Sequence, residues 1–119
     1  SYLYWLDDRP DAQAFESCFR EHPGTGGIWL GGHTHTDPDD RCGGRELIET
    51  RWGVHFANCA ALTKYHVANR TVPMSRLFTF TEGSNEVRVR CFLHTDDFAP
   101  KGWYEPAERR LSIPRPFAW

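Results

Sequence analysis

A short apolar segment that ends in two glycines and two histidines constrains the fold of this chain more than any other feature. Residues 27–35 read Gly-Ile-Trp-Leu-Gly-Gly-His-Thr-His. A run of about four apolar residues bounded by glycines predicts a short buried strand. Alternate residues of an extended chain point to the same side, so His33 and His35 can face one metal ion or serve a metal pair. On a helix the same spacing would separate the two imidazoles, so a metal site requires both at the end of a strand.

Size and composition predict a single domain over residues 1–119. The chain has eight Phe, five Trp and four Tyr, which are bulky side chains that suit packing in a β-sheet. Its formal net charge is −2 and both signs are spread along the chain, so no nucleic-acid partner is indicated. No apolar run approaches the ~20 residues of a membrane-spanning helix, and no signal peptide is visible. These features predict a cytoplasmic protein without a membrane partner.

The order of hydrophobic residues predicts one helix followed by mostly antiparallel strands, an α+β architecture that is rich in strands. Acidic residues and Pro10 predict a helix start near residue 7, and His22-Pro23-Gly24 predicts its end. The helical spacing of three and four residues predicts one buried stripe, formed by Phe15, Cys18, Phe19 and His22.

Several strands are predicted to follow the histidines, at residues 46–51, 52–58, 75–81, 86–94 and 110–114. In the fourth of these, every second side chain is apolar, while Arg88 and Arg90 point to the opposite side. Residues 82–85, Glu-Gly-Ser-Asn, predict the loop of a hairpin. Phe78 and Phe80 are predicted to share one face of the preceding strand.

The remaining histidines, acidic residues and cysteines give weaker indications of chemistry. Four histidines stand alone, and we expect structural roles for them: His22, His55, His66 and His94. Of these, His66 is the best candidate for a site, because its loop is polar. Three acidic residues can either orient a metal-bound imidazole or form a solvated turn: Asp37, Asp39 and Asp40. No CxxC pair occurs, which argues against a structural zinc site and favours reduced thiols at Cys18, Cys42, Cys59 and Cys91.

Gly32-His33-Thr34-His35 resembles the last ligand motif of the calcineurin-like metallophosphoesterases, Gly-His-x-His. Residues 52–58, Trp-Gly-Val-His-Phe-Ala-Asn, look like the strand that follows this motif in many members of the family. The resemblance extends over about residues 10–95. It implies a four-layer fold of two mixed sheets flanked by helices, of which this chain would be the β-rich C-terminal half.

The resemblance also implies a chemistry. His33 would bind one metal of a pair and His35 the other, and the metals would be Mn, Fe or Zn. Such a pair holds the phosphate of a mono- or diester substrate and activates water for attack on phosphorus. The early motifs of the family, Asp-x-His, Gly-Asp-x-x-Asp and Gly-Asn-His, do not occur in this sequence. The resemblance therefore implies that a missing N-terminal half is a partner, and we expect the chain alone to lack catalytic residues and to be inactive.

Two other functions remain open from the sequence. A zinc amidohydrolase barrel also carries His-x-His at a strand end, but a helix should follow because parallel strands need crossover connections. Alternatively, the chain is a non-enzymatic, β-rich binding module whose histidines are incidental. In that case its aromatic C-terminal segment can form a partner surface. Tight metal binding that needs both histidines would favour the enzyme hypotheses over the binding module.

Overall fold

The computed structural model describes residues 9–32, 48–59, 62, 73–94 and 101–119. Its elements in chain order are the helix α1 (Arg9–Glu21), β1 (Ile28–Gly31), β2 (Ile48–Arg51), β3 (Val54–Asn58), β4 (Met74–Phe80), β5 (Glu86–Leu93), β6 (Gly102–Trp103), a 3₁₀ helix (Glu105–Ala107) and β7 (Arg109–Ser112). The described part of the chain is thus α+β and rich in strands, as predicted. Neither of its helices is long and apolar enough to cross a membrane.

Three strands form one sheet, called sheet A, in the order β1-β3-β2. β1 runs parallel to β3, whereas β2 runs antiparallel to it. Trp52 and Gly53 connect β2 to β3, and both have positive φ, 52° and 76°. Positive φ at both central residues is typical of a tight type I′ hairpin turn, which matches the twist of the flanking strands. Glycine tolerates this conformation, and the Trp52 ring packs edge-on against Phe56 with centroids 6.1 Å apart.

The prediction that β1 is buried was wrong, although the strand itself is present. Trp29 is 42% exposed and Leu30 is 53% exposed. Among the described strands only β3 pairs with β1, so β1 lies at an edge of the part of sheet A that the structure describes. An apolar run does not by itself distinguish a central strand from an edge strand, because that depends on neighbours contributed from elsewhere in the chain.

The helix is confirmed, but its predicted buried stripe is narrower than expected. Phe15 and Phe19 are partly buried, and Phe15 packs edge-on against Trp29 with ring centroids 5.0 Å apart. Cys18 and His22 are exposed, contrary to the prediction. The ring of Phe19 packs on the backbone of Gly26. A Cβ atom added at residue 26 would lie 2.6 Å from that ring. Among the helix side chains that the structure describes, Phe15 reaches β1 and Phe19 reaches the segment before it.

The second sheet, called sheet B, contains β4, β5, β6 and β7. β5 pairs antiparallel with β4 on one side and with both β6 and β7 on the other. The hairpin of β4 and β5 is confirmed. Along β5 the alternate side chains are buried as predicted, namely Val87, Val89, Cys91 and Leu93. The edge strand predicted near residue 110 is confirmed as β7, whereas the two-residue strand β6 was not predicted.

The two sheets pack against each other through these alternating apolar side chains. Val87, Val89 and Leu111 of sheet B form a buried cluster. Ile28 and Ile48 of sheet A pack against that cluster. His55 pairs with Ile28 of β1 and with Thr50 of β2. Paired residues of a sheet point to the same side, so all three side chains lie on the face of sheet A that meets sheet B.

His55 forms hydrogen bonds at both ring nitrogens, and one of them joins the two sheets. Its Nε2 lies 2.9 Å from the carbonyl oxygen of Ser112 in β7, and its Nδ1 lies 2.8 Å from Oγ1 of Thr50 in β2. A carbonyl oxygen only accepts, so Nε2 carries the proton and donates to Ser112. In the neutral ring Nδ1 then accepts from the Thr50 hydroxyl. The structural role predicted for His55 fits this arrangement.

Replacing His55 by alanine is expected to lower the free energy of unfolding by about 1–3 kcal/mol, because it leaves a carbonyl between the sheets without its donor. Chemical denaturation followed by circular dichroism measures the change. His94→Ala is the matched control, since His94 is exposed and its ring bonds to Ser75 of the neighbouring strand, at 2.7 Å, within sheet B. An equal effect of the two substitutions would contradict the role of His55 as a link between the sheets.

Candidate functional site

The carboxyl end of β1 is where the Gly-His-x-His motif begins. Gly31 is the last residue of β1, and its carbonyl oxygen accepts a hydrogen bond of 2.8 Å from the amide of Cys59. Gly32 follows and is exposed, and a Cβ built on it would meet no atom within 4 Å. The candidate ligands His33 and His35 come next in the sequence and lie outside the described residues. Also outside them are His66, Cys42, Asp37, Asp39 and Asp40.

Parallel pairing brings the carboxyl ends of β1 and β3 to the same edge of sheet A. Gly31 is the pairing partner of Asn58, the last residue of β3. Ligands of α/β sheets bind outside the carboxyl ends of parallel strands, where loops converge. Asn58 is completely buried, and its side chain is the one polar group among the buried residues of the described chain.

Sheet B carries a positive charge, Arg76 of β4, on the face that meets sheet A. Partial burial raises the pKa of the Cys59 thiol, and the positive charge of Arg76 in β4 opposes part of that rise. Cys59 is exposed, and it is a free thiol like Cys18 and Cys91. The described part of this edge therefore contains the buried Asn58 amide and the Cys59 thiol.

The histidines that the structure describes do not form a metal site at this edge. His55 is occupied between the sheets, and His94 bonds to Ser75. His22 lies just beyond the end of α1, where its carbonyl oxygen accepts a bond of 2.7 Å from the Thr25 hydroxyl. Within the ranges that the structure describes, no group of three or more His, Cys, Asp or Glu side chains is placed to hold a metal ion.

Asn58 at this edge and Arg76 on the inward face of sheet B are residues that sequence reasoning did not single out as functional. One indication was present for Arg76. Alternation along β4 places it on the same side as Met74 and Phe78, which is the apolar side of the strand. A charged residue on an apolar face is unusual unless a group of opposite charge or a ligand contacts it. Such a residue can be recognised from the sequence once the strand has been assigned.

A separate cleft of about 330 Å³ runs beside β1. Its walls combine β1 and the turn before it with the end of β4 and the segment after β7, and they include Ile28, Leu30, Phe80, Ile113 and Arg115. The cleft is mostly apolar, and Arg115 is the charged residue among those that line it. It contains none of the residues at the carboxyl edge, so the two features are distinct.

No protein-family model, no curated protein and no solved structure shows a significant match to this chain.

Proposed function

We propose that this chain is the C-terminal portion of a metal-dependent phosphoesterase that hydrolyses phosphate mono- or diesters. In this proposal His33 and His35 are two ligands of a dinuclear metal centre. The observation that supports it most is the position of the motif in the fold. Gly-His-x-His begins at Gly32, directly after a strand that runs parallel to β3. That position is the edge at which loops of α/β sheets form sites.

The donor chemistry fits divalent metals of the Mn, Fe and Zn group, for which neutral imidazole is a suitable ligand. When bound, a pair of such ions supplies Lewis-acid activation of a phosphate ester and of water. The role of this chain is to fix the two imidazoles. Gly31 is tied to Cys59 by its backbone hydrogen bond, and Gly32 leaves room for a sharp change of direction. The first histidine therefore follows a backbone that is already anchored.

Two histidines are fewer ligands than a dinuclear centre needs. In this proposal the remaining ligands, and the groups that assist catalysis, come from an N-terminal half of the domain, because the motifs that would carry them are missing from this sequence. The isolated chain is then a ligand donor and not a catalyst. Its substrate is a phosphate ester, which both halves would contact.

The two alternatives are supported less well. An amidohydrolase barrel consists of parallel strands, whereas β2 runs antiparallel beside β3. A non-enzymatic binding module is favoured by exposed aromatic side chains, since Trp103 is 46% exposed and Trp119 is 92% exposed. These two residues mark a surface, but neither accounts for two histidines placed at a strand end.

Metal titration tests the proposal. The wild-type chain is expected to bind Mn²⁺ or Zn²⁺, measured by calorimetry and, for Mn²⁺, by electron paramagnetic resonance. His33→Ala and His35→Ala are each expected to weaken binding by about tenfold or more, because even outer-shell changes cost metal sites 10- to 100-fold. The isolated chain with added Mn²⁺ is expected to show no hydrolysis of a phosphomonoester.

His94→Ala is the matched control for both histidine variants, because it removes an exposed imidazole that already bonds to Ser75. It should leave metal affinity unchanged. Equal affinity of all four chains would refute the metal site and favour the binding module. Phosphatase turnover above that of the double variant His33→Ala, His35→Ala would show instead that this chain is a complete enzyme.

A further inference from the structure

The cleft beside β1 is a part of the space between the two sheets that side chains do not fill. Alternation places Ile28 and Leu30 on the face of β1 that meets sheet B. It likewise places Phe78 and Phe80 on the face of β4 that meets sheet A. Ile28 and Phe78 pack against the buried cluster between the sheets. Leu30 and Phe80 are 53% and 40% exposed, so the apolar inward faces continue past the packed core into the cleft.

Two backbone segments in close contact form another part of the wall. A Cβ atom added at Gly27 would lie 3.2 Å from Cγ2 of Ile113 and 3.5 Å from Cδ of Pro114. A Cβ atom added at Gly24 would lie 3.5 Å from Cβ of Pro114. The turn before β1 and the segment after β7 therefore pack directly on each other, and the missing side chains of the glycines permit this approach.

Backbone hydrogen bonds hold the segment after β7 in place. The amide of Ile113 donates to the carbonyl oxygen of Asn85, and the amide of Phe117 donates to that of Ser84, both at 2.8 Å. Arg115 lies between these two anchors and has a proline on each side, which fixes φ at both neighbours. The cleft is thus formed before any ligand arrives, as sites for small molecules usually are.

Arg115 is the charged residue of the cleft, and it has no counterion among the residues that the structure describes. Four other arginines pair with glutamates, namely Arg20 with Glu16, Arg51 with Glu49, Arg88 with Glu108 and Arg110 with Glu86. None of the described residues that line the cleft is acidic. An unmatched positive charge beside an apolar surface favours a ligand with an apolar body and a negative group.

We propose that this cleft binds a small carboxylate with an apolar chain, such as a medium-chain fatty acid. The chain lies along Leu30 and Phe80, and the carboxylate pairs with Arg115 at the open end. A guanidinium group can donate two parallel hydrogen bonds to a carboxylate. One cation neutralises a monoanion, whereas a phosphate dianion would keep a net charge beside an apolar wall. A volume of about 330 Å³ is at the low end of the range for ligand sites and suits a small molecule.

This inference goes beyond the proposed phosphoesterase function and does not depend on it. None of the described residues that line the cleft belongs to the Gly-His-x-His motif. The metal titration of the His33 and His35 variants therefore tests one proposal, and carboxylate binding tests the other.

Titration of the full chain with sodium octanoate at pH 7, where the carboxylate is ionised, tests the proposal. The amide signals of Thr25, Ile28, Leu30 and Ile113 are followed by nuclear magnetic resonance. We expect them to shift with a Kd below about 1 mM, a modest affinity for a ligand of this size. The comparison ligand is 1-octanol, which has the same chain without the charge. We expect it to bind about tenfold more weakly, because the charge-assisted bonds are missing.

Arg115→Gln is expected to raise the octanoate Kd about tenfold and to leave the octanol Kd unchanged. Leu30→Ala is expected to raise both Kd values about threefold or more, because it removes part of the apolar wall. Both residues are exposed, so neither substitution disturbs the packed core. Arg88→Gln is the matched control, because it makes the same change at an exposed arginine on the outward side of β5. It should change neither Kd.

Equal Kd values for octanoate and octanol would overturn the proposal, as would an octanoate Kd that Arg115→Gln does not change. Shifts confined to another surface, such as that of the exposed Trp103, or no binding at all would also overturn it. The same cleft signals could instead shift when the protein is concentrated without ligand. That result would show that a second copy of the chain covers the cleft, and it would replace the carboxylate as the occupant.

Discussion

Replacing Phe56 by alanine is expected to lower the free energy of unfolding by about 3–5 kcal/mol, the range for deletion of a buried aromatic ring. Phe56 is 2% exposed and lies in the central strand of the described sheet A. Its ring lies 6.4 Å from that of Trp29 and 6.1 Å from that of Trp52, measured between centroids. The loss of this ring removes its contacts with Trp29 of β1 and with Trp52 of the β2–β3 turn.

The measurement is urea denaturation followed by far-ultraviolet circular dichroism, because two tryptophans beside the site would confound fluorescence. Phe80→Ala is the matched control, since it makes the same chemical change at a ring that is 40% exposed and packs on Phe117. We expect a cost of roughly 1–2 kcal/mol there, in proportion to the smaller apolar area removed from water. If Phe56→Ala lowered the free energy of unfolding no more than Phe80→Ala does, the Phe56 ring would not be part of a packed core.

Replacing Val89 by aspartate is expected to unfold most of the chain at pH 7. Val89 is fully buried in the cluster between the two sheets, beside Val87 and Leu111. An unpaired carboxylate in such a place costs about 3–5 kcal/mol or more. Domains of this size have only about 5–15 kcal/mol of stability in total. The far-ultraviolet spectrum and the urea midpoint of the variant measure the loss.

Thr79→Asp is the matched control, because Thr79 is exposed on the neighbouring strand and pairs with Arg88. It should change stability by less than about 0.5 kcal/mol. Burial raises the pKa of the new carboxyl group at residue 89 above its value in the unfolded chain. The penalty is therefore smallest below about pH 4 and grows as the pH rises toward the raised folded pKa. A penalty that did not change with pH would argue that the residue 89 side chain reaches solvent.

Local patterns in the sequence were sufficient for most of the secondary structure. The acidic start and the Pro-Gly end of α1 act within a single turn, and strict alternation along β5 requires a strand with one buried face. The same alternation separated Arg88 and Arg90 from the buried valines. These features depend on neighbours two to four residues away, so they could be predicted without the tertiary structure. The position of His33 and His35 after a strand was likewise predicted from the glycines that bound it.

What only the tertiary structure decided is which strands meet. The parallel pairing of β1 with β3, and the edge position that leaves Leu30 exposed, depend on contacts between segments about 27 residues apart. The bond from His55 to Ser112 depends in addition on how sheet B packs against sheet A. A sequence pattern specifies the face on which a side chain lies, but the free energy of packing two sheets selects what that face meets. For this protein the sequence therefore determined the elements and the candidate ligands, and the packing of the strands and sheets determined which of those elements lie side by side.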